Sequence, residues 1–145
     1  MNRSQLRVMT LMLAVVGAAN ARAEDAPAEK VFAPGQDGVT SPTLISKVEP
    51  IMPAILDRDH LQARVQYYVN IKSDGSVTVV DVLSCGTRRR RDDAFSKLSQ
   101  EECEPIEQQT RKAVLQWRYK PAEKDGKPVT VGIGITFTLV PASAH

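Results

Sequence analysis

Hydrophobic and polar residues alternate along three stretches of the chain, residues 63–72, 77–83 and 129–140. Such alternation places apolar side chains on one face of a β-strand and polar side chains on the other. The sequence therefore predicts three strands, each with a single apolar face.

Asp74-Gly75 separates the first two of these strands. An Asp-Gly pair between two alternating runs is among the strongest local signals for a β-hairpin. In the return strand the apolar positions slip between Val77 and Val82, which indicates a β-bulge there.

Two other segments have the period of an amphipathic helix. The first covers residues 53–60 and begins at Pro53, which suits the first helical position because its missing N–H has no partner there. The second is predicted to start at Pro105 and to stop before Pro121. The apolar face of this second helix consists of Ile106, Thr110, Ala113, Val114 and Trp117.

The predicted order is helix, strand, strand, helix, strand. Because each strand has only one apolar face, both helices must cover the same side of the sheet. The sequence predicts an α+β domain of two layers over residues 41–141, with a three-stranded antiparallel sheet and two helices on one face. Residues 24–40 are expected to be a flexible leader, and residues 142–145 a short tail.

The first 23 residues have the layout of a secretory signal peptide: a basic start, an apolar run over residues 8–19 and the small-residue site Ala21-Arg22-Ala23. The run is short for a membrane span. Cleavage would remove three arginines and no acid, so the formal charge falls from +2 to −1, with 16 basic and 17 acidic side chains. A generally basic, nucleic-acid-binding surface is therefore not expected.

Export also determines how the two cysteines are interpreted. Cys85 and Cys103 form an even pair in an oxidising compartment, where a disulfide is the usual outcome. Together with His60 and His145 they match no familiar zinc-site spacing, so neither a metal nor a cofactor is expected. The sequence contains no nucleophile-elbow, zinc-protease or phosphate-loop motif, and its acids are scattered, so we do not expect an enzyme.

Four segments, taken in order and spacing, resemble the C-terminal domain of TonB. The most specific is Trp117-Arg118-Tyr119-x-Pro121 followed by Asp125-Gly126-Lys127-Pro128-Val129. The resemblance covers about residues 41–141 and implies an antiparallel sheet with two helices on one face. The segments are Val48-Glu49-Pro50-Ile51-Met52-Pro53, Ser73-Asp74-Gly75 with Val77, residues 113–121, and residues 125–129.

The resemblance also implies a function. Domains of this family pair a short peptide of an outer-membrane receptor alongside their last strand, which requires an accessible sheet edge. The corresponding residues here are Gly132, Gly134, Thr136 and Thr138, whose small side chains leave one face of the last strand low and flat. The alternative is that the two glycines only fit the curvature of the sheet or a bulge.

The chain departs from a complete TonB. Residues 24–47 would span only ~75 Å even as an extended polyproline helix, which is short for a link between two membranes. Met52 replaces the usual aromatic residue, and the segment between Cys85 and Cys103 resembles an insertion. We therefore expect a periplasmic protein-binding module that pairs with an outer-membrane receptor or another envelope protein in TonB-type transport. A membrane-anchored transducer with an uncleaved N-terminus and a secreted interaction domain without receptor binding remain alternatives, and a homodimer is open.

The arginine run and the aromatic residues each have a functional and a purely structural interpretation. The run Arg88–Arg91 could bind phosphates, lipid headgroups or an acidic partner, but the adjoining Asp92-Asp93 favours a solvated charged loop. Trp117 is expected to anchor the core. The roles of Tyr68 and Tyr119 stay open, and Tyr68, on a polar strand face, is a candidate for an exposed contact.

Overall fold

The computed structural model describes residues 29–142, which fold into a mostly antiparallel sheet with two helices. The helices and the strands share one apolar core. In chain order the elements are β1 (Val31–Phe32), β2 (Thr43–Ser46), α1 (Ala54–Arg58), β3 (Leu61–Ile71), β4 (Val77–Arg89), β5 (Ser96–Lys97), α2 (Gln100–Val114), β6 (Arg118–Lys120), β7 (Ala122–Lys124) and β8 (Lys127–Leu139).

The strand order in the main sheet is β1-β8-β3-β4-β5, with β7 paired to the start of β8. A separate two-stranded ladder joins β2 to β6. The predicted α+β class is confirmed, but the prediction of three strands is wrong because the main sheet has six. The three predicted strands are β3, β4 and β8 at its centre. The added strands are two or three residues long, too short to show a period of two.

The predicted hairpin is confirmed as β3 and β4. Gly75 adopts φ 85°, and the Asp74 carboxylate accepts a hydrogen bond of 2.9 Å from the Ser76 amide, which fixes the turn. The pairing of β4 with β3 skips one residue at Val80 and another at Leu83. The bulge predicted in this strand is therefore present, and a second one follows it.

The second helix starts earlier than predicted. Ser99 caps it: the Ser99 hydroxyl accepts from the Glu102 amide, and the Glu102 carboxylate accepts from the Ser99 amide. This reciprocal capping box starts α2 at Gln100, so Pro105 lies inside the helix rather than at its first position. The helix ends at Val114, because residues 118–120 pair with β2 instead.

The predicted apolar face of this helix is buried at every position. Trp117 is an anchor of the core, as expected: its ring lies 5.0 Å from the Phe137 ring, and its indole N–H donates to the Val48 carbonyl at 2.9 Å. The Tyr67 hydroxyl reaches the Thr110 hydroxyl at 2.5 Å inside the core. Burial raises the pKa of Tyr67 to about 12, so this hydroxyl stays protonated at neutral pH.

Ordered structure begins before residue 41. In the segment expected to be a flexible leader, β1 pairs in parallel with β8, and Val39 is buried. The Thr40 amide donates to the Glu123 carbonyl at 2.9 Å. The signal-peptide prediction for residues 1–23, together with residues 24–28 and 143–145, lies outside the described residues.

The predicted disulfide between Cys85 and Cys103 is present. It joins β4 to the first turns of α2, with both sulfur-bearing side chains buried. The segment between the cysteines contains the end of β4 and all of β5. The disulfide therefore ties the helix start to the sheet across an 18-residue separation.

We expect the double variant Cys85→Ser, Cys103→Ser to fold but to lose ~3 kcal/mol of unfolding free energy, because the disulfide restricts the unfolded chain. Its melting temperature should fall by several degrees, as measured by circular dichroism. Reducing agent should lower the melting temperature of the parent protein to the same value. Two thiols that react in the native parent, or a parent that melts unchanged after reduction, would contradict this role.

Candidate peptide-binding edge

The outer edge of β8 is open over most of its length. On one side β8 pairs with β3 through nine residue pairs, from Val131 to Leu139, without a register shift. On the other side β1 covers only Thr130 and Val131. Within residues 29–142, no strand pairs with the outer edge of residues 132–139. We call this stretch the β8 edge.

The β8 edge has the properties of a pairing template. Its eight residues include no charged residue and no proline, and their regular register with β3 keeps the backbone extended. Half of the backbone N–H and C=O groups of an edge strand point away from the sheet, where another strand can bind them. β1 stops short of this stretch because the chain turns away at Pro34 and Gly35.

The opposite edge of the sheet differs. In the described part of the chain, β5 covers only Gly86 and Thr87 of β4. The remainder of β4 is interrupted by the bulges at Val80 and Leu83 and carries the charged Asp81 between them. Bulges and charges are the devices by which natural sheets prevent unwanted pairing. The protein therefore protects one edge and leaves the β8 edge regular.

The four residues predicted for partner binding lie on the outer face of the sheet, away from the helices. Gly132, Gly134, Thr136 and Thr138 are opposite Asn70, Tyr68, Gln66 and Arg64 of β3, respectively. Of these four residues, Gly134, Thr136 and Thr138 are exposed. Their backbone belongs to the β8 edge, so the structure brings all four residues together at one open strand.

The two glycines do not have the same role. A Cβ atom on Gly132 would overlap the hydroxyl end of Tyr68, whose ring lies across this position. At Gly134 a Cβ would meet only the Tyr67 carbonyl oxygen, at 4.0 Å, which is an ordinary contact. Gly132 is therefore explained by packing within the sheet, whereas the space above Gly134 is open. Tyr68 itself is 39% exposed, as expected for a residue on the polar strand face.

Side chains hold the edge strand in place on both of its faces. On the outer face, the Gln66 amide donates to the Thr136 hydroxyl at 3.5 Å, and the Ser84 hydroxyl donates to Gln66 at 2.6 Å. On the inner face, Ile135, Phe137 and Leu139 are buried in the core. Contacts on both faces thus fix β8 in place, and a strand that is already fixed loses little conformational entropy if another strand pairs with it.

The start of the β8 edge is bounded by β1. The Glu29 carboxylate lies 2.7 Å from the Lys72 ammonium group and accepts a hydrogen bond from the Thr130 hydroxyl. The hydrogen bond from Lys72 has the largest effect on the pKa of Glu29 and that from Thr130 the next largest, and both lower it. The ionised form of Glu29 is therefore favoured in the folded state. The contribution of Glu29 is therefore present at neutral pH and is lost as the pH falls below the ordinary range of a carboxyl group.

The other sequence-predicted features lie elsewhere. The disulfide is at the β4 side of the sheet, and a groove of about 830 Å³ lies beside it, between β4 and the first half of α2. Among residues 29–142, no group of three or more metal-ligating side chains converges. No helix in the same range is long and apolar enough to cross a membrane.

Sequence reasoning missed two features of this site. One is the pairing of β1 with β8, for which Val31-Phe32 offers only two apolar residues as a signal. The other is the position of Tyr68 over Gly132, which depends on the register between β3 and β8. Tyr68 is two positions along β3 from Asn70, the direct partner of Gly132. Such a diagonal pair of an aromatic residue and a glycine is the sequence signal that could have indicated this contact.

By sequence, the chain matches no known protein family and no curated protein. Among solved structures it is similar to the solution structure of the TonB C-terminal domain of Pseudomonas aeruginosa, with 16% identity and a TM-score of 0.41. The similarity covers 74% of this chain and 93% of that one. At this degree of similarity, neither a partner nor a site residue is transferred to this chain.

We expect Gly134→Ala to stabilise the protein by up to about 1 kcal/mol, because a glycine inside a strand costs conformational entropy and the added methyl group has room. Gly132→Ala should gain less or lose stability, because its methyl group must displace Tyr68. Urea unfolding of the two variants measures the difference. An equal gain at both positions would show that Tyr68 does not occupy the space over Gly132.

Proposed function

We propose that the protein is a non-enzymatic protein-binding module that accepts an extended segment of a partner as an additional strand along the β8 edge. The observation that carries the proposal is the unpaired, uncharged and regular backbone of residues 132–139. In this binding mode, main-chain hydrogen bonds supply affinity and alternate side chains supply selectivity.

The surroundings of the β8 edge support a strand rather than a helix as the occupant. The backbone is fixed by β3 on one side, and the outer face is low at Gly134 and Thr136. A partner strand about 4.8 Å away could therefore lay its outward side chains across these positions. Its inward side chains would continue the layer formed by Ile135 and Phe137.

We further propose that the module acts in the periplasm, on an outer-membrane receptor or another envelope protein in TonB-type transport. Two features support this finer proposal. Residues 1–23 have the layout of a signal peptide, and a buried disulfide fits an oxidising compartment. A homodimer formed through the β8 edge would use the same backbone groups and would compete with such a partner.

The mass of the intact protein from the cell envelope separates the periplasmic module from a membrane-anchored transducer. A chain that begins at Glu24 favours the module, and a chain of full-length mass recovered in the inner membrane favours the transducer. Co-purification with a receptor then separates both from a secreted domain that lacks receptor binding.

The edge itself is tested by photo-crosslinking in cells of the native host. We expect a photoreactive amino acid at Thr138 to form adducts with one partner, and that partner segment to be identified by mass spectrometry of the crosslinked peptide. The matched control is the same amino acid at Thr78, an exposed threonine on the protected edge strand β4. Equal adducts at the two positions would contradict the proposal.

A second variant tests whether the backbone is responsible. Thr136→Pro removes one N–H group from β8 and should reduce crosslinking from Thr138 at least several-fold. Circular dichroism must show that the variant is folded, since proline in a strand is destabilising. A folded Thr136→Pro variant that crosslinks as efficiently as the parent would rule out strand addition.

A further inference from the structure

Two arginine side chains converge on one aromatic ring at the β5 side of the sheet. The guanidinium carbons of Arg64 and Arg88 lie 4.2 Å and 4.6 Å from the centre of the Phe95 ring. Phe95 directly precedes β5, and Gly86 makes room for it: a Cβ on Gly86 would lie only 3.3 Å from the Phe95 Cβ and 2.7 Å from the Ser96 carbonyl oxygen. The cluster thus joins two strands, β3 and β4, to the residue that precedes β5.

The hydrogen-bonding capacity of these arginines is largely unused. Arg88 donates through Nε to the Gln62 side-chain oxygen at 2.9 Å, which orients its guanidinium group. Arg64 makes no hydrogen bond or ion pair within residues 29–142. Stacking on an aromatic ring occupies the face of a guanidinium group and leaves its N–H groups available in the plane.

Three more arginines extend the cluster. Arg89 closes β4, and Arg90 and Arg91 follow in the exposed turn. Asp92 and Asp93 are the acids of this turn, and Asp92 accepts from the Arg89 backbone N–H rather than from a guanidinium group. We call the set Arg64, Arg88, Arg89, Arg90, Arg91 and Phe95 the arginine face.

The arginine face therefore combines five positive charges with three nearby negative charges, those of Asp92, Asp93 and Asp59, the last of which interacts electrostatically with Arg89. Of its guanidinium groups, only that of Arg88 donates a hydrogen bond within residues 29–142. In the described part of the chain, no carboxylate lies within ion-pair distance of any of its five guanidinium groups. Guanidinium groups bind phosphate through two parallel N–H donors, which a carboxylate-free cluster leaves unoccupied. Several such groups spread over one surface match a ligand that presents many phosphates side by side.

We propose that the arginine face is a membrane-contact surface that binds the phosphates of anionic lipid headgroups. The strand order places β5 and β8 on opposite sides of β3. Arg64 lies on β3 opposite Thr138, so the arginine face adjoins the far end of the β8 edge, whereas Arg88 and Phe95 lie on the β4 and β5 side. The proposal does not depend on strand addition at β8.

The test is co-sedimentation of the purified protein with vesicles. The probe is an equimolar mixture of phosphatidylglycerol and phosphatidylcholine, and phosphatidylcholine alone is the reference. We expect binding to the anionic vesicles only, and its loss when salt rises from about 0.1 M to about 1 M, because the Debye length falls from about 10 Å to about 3 Å.

Variants then assign the binding to the arginine face. Each arginine near a charged bilayer contributes about five-fold to partitioning, so Arg64→Gln with Arg88→Gln should weaken it roughly 30-fold. The matched control, Lys120→Gln with Lys127→Gln, removes the same charge from residues outside the arginine face and should have little effect. Phe95→Leu keeps the charge but removes the ring that positions both guanidinium groups, and it should also weaken binding.

Three outcomes would overturn the proposal. The first is a parent protein that does not distinguish anionic from neutral vesicles. The second is an equal loss of binding in the lysine control, which would show a response to net charge alone. The third is displacement from the vesicles by millimolar inorganic phosphate at constant ionic strength, which would indicate a site for free phosphate. If the glutamine variant unfolds, Arg90→Gln with Arg91→Gln in the exposed turn removes the same charge from the arginine face and should weaken binding by a similar factor.

Discussion

The pairing of β3 with two neighbours determines the rest of this structure. β3 pairs with β4 along its whole length and with β8 over nine residues, and its inward side chains from Ala63 to Ile71 are completely buried. A one-residue slip of β3 would move this apolar set to solvent, so its register is strongly fixed. The position of β8, the direction of its outer face and the placement of Tyr68 over Gly132 all follow from that register.

The two edges of the main sheet differ in sequence and in regularity. On the β4 side there are two bulges, an aspartate, a disulfide and a short covering strand. On the β8 side there is an uninterrupted run of small and apolar residues whose beginning alone is covered, by β1. Exposed regular edges invite aggregation, so the contrast between the two edges is the feature on which the proposed strand addition at β8 depends.

Much of this could be predicted from local patterns, and the failures have physical causes. The hairpin at Asp74-Gly75 and the apolar face of α2 were predicted because each is encoded within a few neighbouring residues. The start of α2 was predicted five residues late because Pro105 was weighed above the capping pair of Ser99 and Glu102. β1 and the β2–β6 ladder could not be predicted, because such short strands exist only through partners distant in sequence. For the site, the sequence indicated the open face at Gly134, but only the register shows that Gly132 is already covered.

The regular ladder between β3 and β8 also has a mechanical consequence. A segment added along β8 and pulled in the strand direction would load the nine β3–β8 residue pairs together, in shear. A force perpendicular to the strands would instead break the residue pairs one after another. The β3–β8 ladder would therefore resist force along the strands and separate more easily under force perpendicular to them. Because β8 is also anchored through Phe137 beneath Trp117, tension applied along the strand would pass directly into the core.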